Sequence, residues 1–64
     1  MPNLRNHIEM ELEPLTKKDF PYMTYLYEEN PDLAVDRVIE MMTDHKMEIQ
    51  PAIVRLEMGA AESG

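Results

Sequence analysis

Proline punctuates this chain so often that no secondary-structure element can run far. Pro14, Pro21, Pro31 and Pro51 each follow a stretch that suits one short element. Proline lacks a backbone N–H and its ring crowds the preceding turn, so each one marks a boundary or a first helical turn. With 64 residues in all and no internal repeat, the sequence predicts a single small domain over 1–64. The small, polar end at 59–64 reads as a flexible tail.

The middle of the chain is the most determined part. Thr16 and Asp19 are turn and cap types, and Phe20 is pushed away from helical dihedrals by the proline after it. A helix over 21–29 would line up Phe20, Met23, Leu26 and Tyr27 at three- and four-residue spacing. Asn30-Pro31 then supplies an N-cap and a proline for a second helix over 31–44. At ~100° per residue, Ala34, Val35, Val38, Ile39, Met41 and Met42 share an arc of roughly 160°. Asp32, Asp36, Glu40 and Asp44 fall on the other side. One residue separates the two helices, which predicts a tight helical corner or hairpin.

The flanks carry two periods at once. Across 7–13, Ile8, Met10 and Leu12 alternate with glutamates as a strand would, while Leu4, Ile8, Leu12 and Leu15 keep helical spacing. Across 51–58, Val54, Leu56 and Met58 alternate, yet Ile49, Ala52, Ile53, Leu56 and Ala60 form a helical face with Pro51 near its start and Gly59 just past its end. The expected fold class is mainly α, with these flanks either short β-strands or further short helices.

Charge narrows the function. Thirteen acidic residues against six basic ones give a net charge of −7, the wrong sign for gripping nucleic acid through its phosphates. There is no cysteine, which excludes a disulfide scaffold, a thiolate metal site and a cysteine nucleophile. No apolar run approaches the ~20 residues of a membrane span, and Met1–Asn6 is too polar to open a signal peptide, so a cytoplasmic protein without membrane contact is expected. Ser63 is the only serine, and His7 and His45 sit on different elements. No EF-hand, His-Glu-x-x-His or Glu-x-x-His pattern is present, so neither an enzyme nor a metal or other cofactor is expected.

The most specific pattern is acidic. Glu28, Asp32, Asp36, Glu40, Asp44 and Glu48 recur at every fourth position. Like charges four apart on a helix cost ~0.2–0.5 kcal/mol per pair. Successive members lie ~6 Å apart along a helix axis, which resembles phosphate spacing on a nucleic-acid strand. Pro31 puts Glu28 on the earlier helix, so the straight ridge runs from Asp32 to Asp44. It reads either as a docking ridge or as the solvated face of an acidic protein. Seven methionines, Met41 and Met42 among them, and three tyrosines crowded at 22, 25 and 27 offer adaptable apolar anchors. The run Ile8–Thr16 with Lys17-Lys18-Asp19-Phe20 and two short helices looks like the opening of several small α/β proteins. Tail-assembly chaperones of tailed phages are among them, but the shared Leu-Thr-x-x-Asp turn is too generic to assign a family.

These features predict a small acidic interaction module, an adaptor or inhibitor, that docks on a basic surface of a protein partner. Its expected binding residues are Asp32, Asp36, Glu40, Asp44, Glu28, Met41, Met42 and Tyr25. One alternative is a homo-oligomeric structural or assembly protein, such as a phage assembly or scaffold subunit. Another is a nucleic-acid-mimic inhibitor of a DNA- or RNA-binding protein, and a viral origin fits either reading. A chain this short builds a small core, so a homo-oligomer or obligate complex is expected in each case.

Overall fold

The computed structural model describes residues 3–63, with side chains described through Ala60. The expected mainly α class holds. Four helices form in chain order, α1 over Leu4–Leu12, α2 over Pro21–Glu29, α3 over Pro31–His45 and α4 over Ile49–Ser63. The prolines act as anticipated at α2 and α3, each occupying the first helical position.

Capping explains where the helices begin and stop. The Asn3 side chain accepts from the Asn6 N–H at 2.8 Å and opens α1. Asn30 serves two helices. Its own N–H donates to the Leu26 carbonyl at the end of α2, and its side chain accepts from the Leu33 N–H at 3.2 Å at the start of α3. Lys46 closes α3 in the left-handed region at φ 50, with its N–H and that of Met47 both returning to the Met42 carbonyl. Glycine is the usual occupant of such a position because it has no Cβ to clash.

Both flanks are helices. The helical period wins in α1 because it buries Ile8 and Leu12 and turns Met10 out to solvent. A strand would instead have put all three on one face and left its backbone groups without partners. In α4 the same holds, with Ala52 and Ile53 buried and Val54 and Met58 exposed. Gly59 does not end this helix, which continues to Ser63. Of the tail expected at 59–64, the side chains from 61 onward and Gly64 lie outside the described residues.

The helices share one core of Ile8, Leu12, Met23, Ala34, Val35, Val38, Ala52 and Ile53. Every helix contributes to it, and among the described residues no polar or charged residue is buried as a whole, although the Thr24 hydroxyl oxygen is buried without a hydrogen-bond partner. Leu15, Phe20, Leu26 and Tyr27 pack around it half-buried. The Cα radius of gyration is 10.9 Å, near the ~10.7 Å of a folded chain of this length.

Candidate functional site

The anionic row on α3 forms, but it does not stand free. Arg5, in the first turn of α1, reaches Asp36 at 2.7 Å and comes within 3.8 Å of Asp32. Arg37 turns along α3 to Glu40 at 3.0 Å. Glu28 lies on α2 and faces Lys17 at 3.7 Å. Asp44 is exposed and has no ion pair among the described residues. The hydrogen bond to Asp36 raises the proton affinity of the Arg5 guanidinium, against an opposing desolvation, with Asp36, Asp32 and Glu9 adding attraction. Two arginines therefore sit inside the row whose repulsion they relieve.

The expected apolar anchors differ in exposure. Met41 and Met42 are half-buried against the core. Met41 lies roughly 140° round the helix from Asp36 at ~100° per residue. Tyr25 is 60% exposed on α2.

A different feature was missed from the sequence. Between the start of α2, the middle of α3 and the second half of α4 runs an open groove of about 670 Å³. Tyr22, Met41, Leu56, Gly59 and Ala60 give it an apolar lining, and Arg37 and Arg55 give it positive charge. Arg55 has no carboxylate partner among the described residues. One wall is held by Glu57, whose carboxylate accepts from the backbone N–H groups of Tyr22 at 3.1 Å and Met23 at 2.9 Å. Phe20 offers α2 no side-chain cap, so a carboxylate from α4 satisfies those donors and meets the positive end of the helix dipole. The sequence held one signal for the groove, a glycine inside an apolar helical pattern. A Cβ built on Gly59 meets nothing within 4 Å, so packing inside this chain does not demand glycine there.

The groove is lined, among the described residues, by two guanidiniums, a phenol and apolar surface. Among the described residues, no three His, Asp or Glu side chains are grouped to hold a metal ion. No helix is long and apolar enough to cross a membrane, within the same residues. Tyr27 sits outside the groove, and its phenol is pushed up by burial first and then by the charges of Glu13 and Glu9. Compared with protein-family models, curated proteins and solved structures, the chain finds no match.

Proposed function

We propose that this protein is a small, non-catalytic interaction module that receives part of a protein partner in the α2–α3–α4 groove. The observation that carries it is the placement of Arg37 and Arg55 on an open apolar groove of a chain with net charge −7. An apolar surface with a few charged groups around it can set both affinity and orientation. The partner segment is therefore apolar with flanking carboxylates, the reverse of the basic surface that the acidic row alone suggests. The acids of the row that already pair within the chain offer a partner little new attraction. A chain of this size without cysteine suits a reducing compartment, and that is the support for placing it in the cytoplasm.

The test is capture by the tagged full chain from the cells that make it. Gly59→Glu brings a longer, helix-favouring side chain to the groove wall, at a position where a Cβ meets nothing within 4 Å. Asp32→Asn with Asp44→Asn removes two acids without touching the Arg5–Asp36 contact. The expected result is a captured protein retained by the wild type and the double variant and lost with Gly59→Glu, although by circular dichroism Gly59→Glu melts no lower than the wild type. Loss with the double variant and retention with Gly59→Glu would return the role to the acidic row.

A further inference from the structure

We infer that the groove is occupied by helix α1 of a second copy of this chain, so that copies associate head to tail. This rests on the groove being a docking surface, and it adds the occupant. Met10 is the most exposed of the large apolar side chains, at 70%. Glu9 and Glu11 lie about 100° to either side of it round the helix, Glu11 also accepting from Gln50 at 3.1 Å, and Glu13 caps the end of α1 one turn on. A flexible thioether between carboxylates is the chemical complement of an apolar groove edged by two arginines. Arg55 has no partner to release among the described residues, and the Arg37–Glu40 pair is half-exposed on both sides, where exchange for another carboxylate costs little.

The geometry also sets the mode of association. No residue of α1 lines the groove, so one copy presents knob and groove at the same time. A symmetric contact of groove with groove would bring Arg37 and Arg55 of one copy against the same arginines of the other. Like charges at such a contact are repulsive, so the groove pairs with α1; a reciprocal pair would stop at two copies, whereas head-to-tail copies grow beyond two. Heterologous contacts of that kind close into rings or continue as open chains. The bare backbone at Gly59 lets the incoming helix approach α4 closely, which gives a helix-interior glycine a reason to be there.

Sedimentation velocity of the full chain, from micromolar to millimolar concentration, tests this directly. The wild type is expected to grow in mass with concentration beyond two copies. Met10→Glu alters only an exposed side chain and removes the knob, while Gly59→Glu blocks the groove. Each variant alone should weaken association by roughly tenfold or more, as the loss of a central anchor does. Mixed in equal amounts, the two should form a dimer and stop there, because each brings the surface the other lacks. A wild type that stays monomeric to millimolar overturns the occupant. The groove itself survives that result if Gly59→Glu still abolishes capture of another protein, and falls with it if capture is unaffected. Growth that neither variant slows, or a mixture that forms no dimer, overturns the head-to-tail contact.

Discussion

Glu57 and Arg5 each reach across the bundle to a distant helix, over 34 and 31 residues of sequence, yet they stabilise it differently. Glu57 is half-buried and accepts from two backbone N–H groups that have no partner inside their own helix. Arg5 is exposed and joins carboxylates that water would solvate well without it. Leaving a donor unmet near the core is costly, whereas an exposed ion pair exchanges one good solvent for another. The α2–α4 side is therefore fixed by necessity, and the α1–α3 side is only biased. The groove lies on the fixed side, where a docking surface keeps its shape.

Substitutions can break or sharpen that contrast. The largest effect is expected beneath the Glu57 contact, where Met23 is fully buried. Met23→Ala should lower the unfolding free energy by about 2–5 kcal/mol in urea titration, through lost burial and the cavity left behind. Glu57→Ala should cost about 1–2 kcal/mol, the scale of a lost helix cap, and the loss should persist in high salt. If salt abolishes it, Glu57 acts as a charge alone and the contrast fails. Arg5→Ala should move the urea midpoint less than Glu57→Ala does, and that shift should vanish as salt screens the pair. An equal or larger shift would make the two sides equivalent.

The smallest expected effect is alkaline. Tyr27 is held above its ordinary value of 10.0 in the fold, so the unfolded chain releases this proton first. Stability from Tyr27 is then complete below pH 10 and declines as pH rises through the folded value. Tyr27→Phe should remove that decline from the melting profile, and an unchanged profile would show that other groups cause it.

What was legible in the sequence was local. Pro21, Asn30 and Pro31 act within a turn of their own positions, so α2 was placed at its observed limits and α3 to within a residue. The ambiguity of the flanks had a physical source. Ile8 and Leu12 satisfy both a period of two and a period of four, and only the side chain between them, Met10, distinguishes the two, by being exposed. Gly59 misled for a related reason, since glycine closes many helices but is tolerated inside one at modest cost. The candidate site was the least legible. Nothing in the spacing of acids on α3 reveals that Arg5, on another helix, stands between two of them. Nor does the α4 pattern show that Glu57 caps α2, because both contacts exist only once the chain has folded.

Asn30 has a consequence for how this protein ages. An exposed asparagine ordinarily loses its amide when the backbone nitrogen of the next residue attacks the side-chain carbonyl, leaving aspartate or isoaspartate. The next residue here is Pro31, whose nitrogen carries no hydrogen and is closed in a ring, so that route is blocked. The residue that ends one helix and begins the next is thus shielded from the slow chemical damage that would unfasten both.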